Sequence, residues 1–186
     1  MKLEIEVKAK VKDFEIIKDK LKELGCVLSL PIIQNDYIYN SKTTNIREGY
    51  DGSPILRIRK QGEKILFTLK KNRTNELDCI EKEIEVSNDE TLRDILLLMN
   101  YESNVEVHKK RIKTTYKDYE ICLDEVEGLG TYIEVEKMSE EDGEKVQNEL
   151  FEFLETLGVS KEDRVFKGYD TLIYLKNNPE LINKFQ

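Results

Sequence analysis

The chain is short of most of the residues and motifs that make a chemistry easy to read. Among its 186 residues there are one histidine and three cysteines. His108 lies in an alternating segment with the opposite parity from Lys109 and Arg111, so it points away from them, and a Ser-His or Cys-His nucleophile is disfavoured. Cys26, Cys79 and Cys122 are odd in number, far apart and without CxxC spacing. That argues against a disulfide framework or a zinc site and for three reduced thiols. There is no GxGxxG and no GxxxxGKS/T, so the Rossmann and P-loop modes of phosphate binding have no anchor. No apolar run approaches a membrane span, and the opening MKLEIEVKAK alternates charged and apolar side chains where a signal segment would be continuously apolar. A soluble, cytoplasmic protein is expected. Positive charge is outnumbered as well, 30 Lys and Arg standing against 38 Asp and Glu. A net charge of −8 leaves no surplus for a duplex, and the one basic run, Lys109 to Lys113, belongs to a set of strands that is otherwise acidic. Neither nucleic acid nor a membrane is an expected partner; a homodimer stays open.

What is present is charge in excess, arranged with a period. Charged residues make up 37% of the chain, against roughly 25% in ordinary globular proteins. The length and 39% apolar content suit one buried core. The reading is one domain over residues 1–176, with 177–186 as a tail. From Leu3 to Lys10 the apolar Leu3, Ile5 and Val7 alternate with Glu4, Glu6 and Lys8, which predicts a strand. Asp13 can cap a following helix with Phe14, Ile17, Leu21 and Leu24 on one face, ended by Gly25. The same order returns twice. Glu81 to Val86 leads into a capping-box pattern at Ser87 and Glu90. Ile133 to Glu136 leads to Ser139 as a cap and a helix that ends at Gly158. Further alternating segments at Ile32–Tyr39, Ile55–Arg59, Ile65–Lys70, Val105–Lys113 and Glu120–Asp124 bring the total to about eight strands and three helices. Asn40 to Gly52 reads as a loop and Tyr50 to Pro54 as a turn.

In each strand the apolar parity must pack on something, and the helices are the available cover. The other parity collects Glu4, Glu6, Lys8, Arg57, Arg59, Thr68, Lys70, Glu83, Glu85, Lys109, Arg111, Asp124, Glu134 and Glu136. Alternation alone fits two architectures: an open antiparallel sheet with its charged face in water, or a closed barrel with a polar interior. If the face is enclosed, glutamates at i and i+2 lie about 7 Å apart and repel by roughly 2 kcal/mol per pair at an effective dielectric near 20. Protonation, pairing with Lys and Arg, or a divalent cation must relieve that. Carboxylates without His or Cys favour hard Mg²⁺ or Mn²⁺, and the basic residues suit a polyanion.

Glu4-Ile5-Glu6-Val7-Lys8 resembles the ExExK signature of the CYTH superfamily, the triphosphate tunnel metalloenzymes. The likeness continues in order through Asp36-Tyr37-Ile38-Tyr39, Leu56-Arg57-Ile58-Arg59, Thr68-Leu69-Lys70, Lys82-Glu83-Ile84-Glu85, Lys109-Lys110-Arg111, the segment LDEVEGLG at 123–130, and Tyr132-Ile133-Glu134-Val135-Glu136. A lone ExExK is weak, whereas this ordered set spans about residues 1 to 175.

The resemblance implies an α+β fold, an eight-stranded antiparallel β-barrel forming a tunnel, with amphipathic helices outside. It implies Glu4, Glu6, Glu134 and Glu136 as metal carboxylates for Mg²⁺ or Mn²⁺, with Glu4, Glu6 and Lys8 as the catalytic group. Glu83, Glu85 and Asp124 would support the metal or the bases. Arg57, Arg59, Lys70, Lys109, Arg111 and, at the mouth, Lys167 would hold a nucleoside triphosphate or inorganic polyphosphate. Gly168-Tyr169 stands where relatives often carry Ser-Tyr, so any role of that serine is absent. The implied reaction is that of a class IV adenylyl cyclase, ATP to cyclic AMP and pyrophosphate; a triphosphatase acting on triphosphate or thiamine triphosphate is the alternative, and a polyphosphate-binding module without turnover is a third.

Overall fold

Two-residue alternation closes into a barrel in the computed structural model, which describes residues 3–42 and 54–184. The strands are β1 (Leu3–Lys10), β2 (Ile32–Ser41), β3 (Ile55–Gln61), β4 (Lys64–Asn75), β5 (Asp78–Val86), β6 (Tyr101–Tyr116), β7 (Tyr119–Val126) and β8 (Gly130–Ser139). They run antiparallel in the order β5-β4-β3-β2-β6-β7-β8-β1, and β1 pairs back to β5. The open-sheet alternative is thereby removed. A two-residue strand β9 (Arg164–Val165) covers the part of β1 that β5 does not reach.

The largest part of the hydrophobic core lies outside the barrel wall. Ile5, Val7, Ile121, Leu123, Ile133 and Val135 point outward and are buried under α1 (Phe14–Glu23) and α3 (Gly143–Thr156), which contribute Ile17, Leu21, Val146, Leu150 and Leu154. Burying such side chains contributes about 1.5–3 kcal/mol each, so the helices are what make this face of the sheet stable. A second cluster sets Leu96 of α2 (Asp89–Leu98) over Tyr39, Leu56 and Ile58. Among the described residues no helix is long and apolar enough to cross a membrane.

Helix ends follow local chemistry, with two departures from expectation. Asp13 accepts the Glu15 amide at 2.8 Å, and Gly25 and Gly158 take the left-handed conformation that ends α1 and α3. The cap of α2 is Asn88, which accepts the Thr91 amide at 2.8 Å, and not the Ser87–Glu90 box. Ser139 does not cap α3 either. Leu3 still pairs with Ser139, so β8 runs on past Glu136, and Asp142 becomes the cap. A fourth helix, α4 (Tyr169–Asn177), is additional to the three expected; its run Leu172-Ile173-Tyr174-Leu175 carries no helical period. Most of the expected loop Asn40–Gly52, and the turn Tyr50–Pro54 apart from its proline, lie outside the described residues; β2 continues to Ser41. Beyond α4 a last turn, Pro179–Lys184, buries Leu181.

Closure depends on a short seam. Only Glu4↔Cys79 and Ile5↔Asp78 pair across β1 and β5, with the Glu6 amide donating to the Leu77 carbonyl at 2.9 Å. α3 clasps it from outside: Gln147 Nε2 donates to the Glu6 carbonyl at 3.1 Å, and the buried Asp78 carboxylate lies against Gly143 at the start of the helix. A Cβ at Gly143 would fall 2.6 Å from Asp78 Oδ2. Gly143→Ala is therefore expected to lower stability by about 1–3 kcal/mol, as overpacking does. Denaturant melts check this, and an unchanged midpoint would mean that the carboxylate moves aside freely.

Candidate active site

The barrel encloses a solvent-connected cavity of about 230 Å³. What it presents is set by register. On β1, β8 and β7, Glu6 lies directly opposite Glu136, and Glu136 directly opposite Glu120. Three carboxylates thus form a row across adjacent strands, an arrangement that is destabilising when every member is charged. The carboxylate oxygens of Glu4, Glu6 and Glu136 all lie within 4.8 Å of one another. Glu4 and Glu136 accept no hydrogen bond among the described residues, and the base nearest Glu6 is Lys8 at 3.8 Å. Burial first, then the charge of Glu81, pushes the Glu4 carboxyl up to about 7. Burial, then Glu4, Glu120 and Glu6, pushes Glu136 up to about 8.

One register step away the pairs become complementary. Lys8 lies opposite Glu134, 3.0 Å from its Oε1. Arg111 lies opposite Asp124, donating to its two oxygens at 2.7 and 2.5 Å and making a further contact with Glu134. Arg59 lies opposite Asp36 and grips it at 2.6 and 2.7 Å. These forks are the strong form of ion pair. Burial alone would raise Asp36 and Glu134; Arg59 holds Asp36, and Lys8 with Arg111 holds Glu134, well below the usual carboxylate range. Arg57 donates to Glu81 at 2.8 Å and to the Thr68 hydroxyl at 3.2 Å, and Lys70 stands 3.8 Å from Glu81. Lys109 has no close partner, with Asp124 at 3.8 Å and Asp36 at 4.0 Å. Burial, reinforced by the adjacent Arg111, lowers its ammonium to about 8.

α4 floors the cavity. Its Tyr169 hydroxyl donates to Asp124 at 3.0 Å, and the ring lies 4.0 Å from the Lys8 ammonium and 5.0 Å from that of Lys109. Around it Ile38, Val107, Val126 and Tyr132 make that end of the barrel apolar.

Of the residues named from the sequence, Glu4, Glu6, Lys8, Arg57, Arg59, Lys70, Glu83, Lys109, Arg111, Glu134 and Glu136 line the one cavity. Asp124 is fully buried behind Arg111. Three differ from expectation in placement. Glu134 stands among bases and outside the carboxylate triad. Glu85 lies at the exposed end of β5, 3.5 Å from Lys64, and does not line the cavity. Lys167 directs its ammonium toward Glu76, at 4.0 Å, while its carbonyl accepts from Lys8 at 3.3 Å. His108 faces outward, against Asn35 at 2.8 Å. The cavity also takes Asp36, Glu81, Glu120 and Tyr169, which the sequence reading did not assign. Parity could have found the first three, since Glu81 and Glu120 share the phase of Glu83 and Asp124, and Asp36 alternates with Tyr37 and Tyr39.

The donor set suits a hard divalent ion: three clustered carboxylates, no imidazole, and room beside them for phosphate oxygens. Fold and site define a charged tunnel with an acid row on one side and a basic wall on the other. The chain belongs to the CYTH domain family, whose model matches residues 2–169. It is 30% identical over 171 residues, 90% of this chain and 96% of the other, to a Methanocaldococcus jannaschii protein provisionally named an adenylate cyclase. The PH1012 protein of Pyrococcus horikoshii superposes with a TM-score of 0.78 at 25% identity, over 91% of this chain and 98% of that one. A Hippeastrum protein, provisionally named an adenylyl cyclase and described as having a dominant triphosphatase activity, shares the fold with a TM-score of 0.63 at 17% identity, over 96% of each chain.

The raised carboxyls fix a sign for stability against pH. A carboxyl whose folded value lies above its unfolded 4.5 stabilises fully below 4.5 and loses that contribution as pH rises through 7 to 8. Asp36, Glu81 and Glu134 are shifted downward, so their contributions change only in more acid solution. Metal-free protein should therefore melt at progressively lower temperature between pH 5 and pH 8, and Glu136→Gln should flatten the slope. Calorimetry across that window is the check; a melting temperature that rises with pH would contradict the electrostatic account.

Proposed function

We propose that the protein is a divalent-metal-dependent enzyme acting on triphosphates, and that its reaction is the conversion of ATP to cyclic AMP and pyrophosphate. The observation that carries the metal and triphosphate reading is the row of Glu6, Glu136 and Glu120, with Glu4 beside it, facing a basic wall inside one cavity. An acid row alone would suit a cation and a basic wall alone an anion; together they suit a metal and a polyanion. The cyclase assignment is supported by the Methanocaldococcus jannaschii relative and by the LDEVEGLG segment.

Glu4, Glu6 and Glu136 would hold Mg²⁺ or Mn²⁺, which supplies Lewis acidity and neutralises phosphate charge. Lys109, the base with no close partner, is positioned to take phosphate oxygens first. Arg57, Arg59, Arg111, Lys8 and Lys70 line the same cavity, the three arginines and Lys8 held in place by their carboxylate partners. In cyclisation the ribose 3′ O–H bond breaks and its proton leaves to solvent, the oxygen bonds to the α-phosphorus, the bond from that phosphorus to the bridging oxygen breaks, and pyrophosphate leaves. The basic wall steadies the charge of the leaving group, and α4 keeps water from the floor of the cavity.

A second reading is favoured by the Hippeastrum protein, whose described triphosphatase activity accompanies the same fold. There a water oxygen bonds to the terminal phosphorus and gives a proton to solvent, the bond from that phosphorus to the bridging oxygen breaks, and orthophosphate separates from the diphosphate. Incubation of the purified protein with ATP or inorganic triphosphate and Mg²⁺ or Mn²⁺, with products resolved by anion exchange, separates the two. Cyclic AMP with pyrophosphate supports the first, orthophosphate from triphosphate the second, and no turnover of either after metal addition overturns both.

Glu6→Gln should nearly abolish turnover while the protein stays folded, because charge is removed and bulk is kept. Lys109→Ala should weaken a non-hydrolysable ATP analogue by about 1.5–3 kcal/mol, the range for hydrogen bonds to charged groups. Lys110→Ala, on the outward parity, should change affinity little. Isothermal titration at constant metal measures both, and equal losses at the two lysines would refute the inward assignment of Lys109 to substrate.

A further inference from the structure

Ligating atoms gather at a second place in the tunnel, across the β1–β5 seam. Glu4 pairs directly with Cys79 there, and Glu81 follows on the same inward parity of β5. The Cys79 sulfur and carboxylate oxygens of Glu4 and Glu81 lie within 4.8 Å of one another. Cys79 is 1% exposed and its thiol makes no hydrogen bond among the described residues. A thiol that only filled core space would be expected on the outward parity, among the aliphatic side chains; this one has Lys70, Glu4, Glu6 and Glu81 as its charged neighbours. Cys122 supplies a contrast. It is also buried on an inward parity, but its sulfur contacts Glu120 at 3.7 Å, and it belongs to no group of three ligating residues among those described.

We propose that Glu4, Cys79 and Glu81 form a second cation position, sharing Glu4 with the acid row, that takes a thiophilic divalent ion of the Co²⁺, Zn²⁺ or Cd²⁺ kind in preference to Mg²⁺. One sulfur with two carboxylates is a mixed donor set, and sulfur moves selectivity away from hard ions toward the later transition metals. Glu81 has an oxygen to give: Arg57 bonds its Oε1 at 2.8 Å, while the nearest base to Oε2 is Lys70 at 3.8 Å. On binding, the S–H bond breaks, a sulfur–metal bond forms, and one proton leaves to solvent for each ion bound. No oxidant or reductant takes part. Glu4 makes the two positions neighbours, so an ion at the seam also neutralises one carboxylate beside the row.

The test is optical and contains no substrate. Metal-free protein titrated with Co²⁺ should develop the near-ultraviolet thiolate-to-cobalt charge-transfer band. The band should persist in Glu6→Gln and Cys122→Ser, and under an excess of Mg²⁺, and it should vanish in Cys79→Ser and Cys79→Ala. Glu81→Gln should weaken the Co²⁺ affinity read from the band by about tenfold or more. No band in the wild-type protein at saturating Co²⁺ overturns the proposal, whatever becomes of the variants. A band that survives in Cys79→Ala overturns it equally. Turnover with no band removes the seam position and leaves the enzyme reading intact; a band with no turnover does the reverse.

Discussion

The interaction on which this structure turns is repulsion between carboxylates that the barrel register forces to face one another. Glu6, Glu136 and Glu120 stand directly opposite across three hydrogen-bonded strands, and none can turn outward without moving its strand by one residue. At about 5 Å and an effective dielectric near 20, a charged pair costs roughly 3 kcal/mol, so the full row would consume much of the 5–15 kcal/mol that holds an ordinary domain together. Glu120 is relieved by an ion pair with Lys113 and Glu6 has Lys8 at 3.8 Å, but Glu136 between them has no basic partner among the described residues. Protons answer in part: burial and then the neighbouring carboxylates push Glu136 up to about 8, and burial with Glu81 pushes Glu4 up to about 7. A cation does so more completely. The inverted core follows from the same constraint: with the interior given over to charge, stability has to come from apolar packing on the outside, and α1 and α3 supply it.

The basic wall obeys a different rule. Arg59 and Arg111 are locked in bidentate pairs with Asp36 and Asp124, so their positions are fixed before any ligand arrives. Removing either arginine would strand a buried carboxylate, a cost to folding as well as to binding. Lys109 and Lys70 are the exceptions, the first with its nearest carboxylate oxygens 3.8 and 4.0 Å away and the second 3.8 Å from Glu81. A buried ammonium so weakly paired is poised for an anion from outside. The bases therefore divide into those that hold shape and two lysines that have least to give up on exchanging partners.

Parity was legible because it is a property of a single strand. The two-residue period sorted Arg57 from Ile58 and Lys109 from Lys110 with no knowledge of neighbours, and the resemblance of successive strands supplied closure into a barrel. Register was not legible, because it belongs to pairs of strands. Glu134 and Glu136 are equivalent by alternation, yet one lies opposite Lys8 and the other opposite Glu6, and this sets their opposite pKa directions. Glu85 shares the phase of Glu83 but lies at the exposed far end of β5, so it meets Lys64 and solvent. α4 escaped notice because a helix that closes the end of a barrel is apolar on more than one side and leaves no clean period.

That missed helix changes how the site should be understood. Tyr169 touches Lys8 of β1, Lys109 of β6 and Asp124 of β7, and Asp124 in turn fixes Arg111. One ring thus joins three strands that are otherwise related only around the circumference of the barrel. Its hydroxyl donates to a carboxylate already gripped by arginine, and its face receives two ammonium groups, an arrangement favourable to cations and expensive to dissolve once desolvated. Displacing α4 would expose Asp124 and release both lysines together. The floor of the tunnel and the shape of its basic wall are consequently one mechanical unit, held at a residue whose role no periodicity in the chain could have announced.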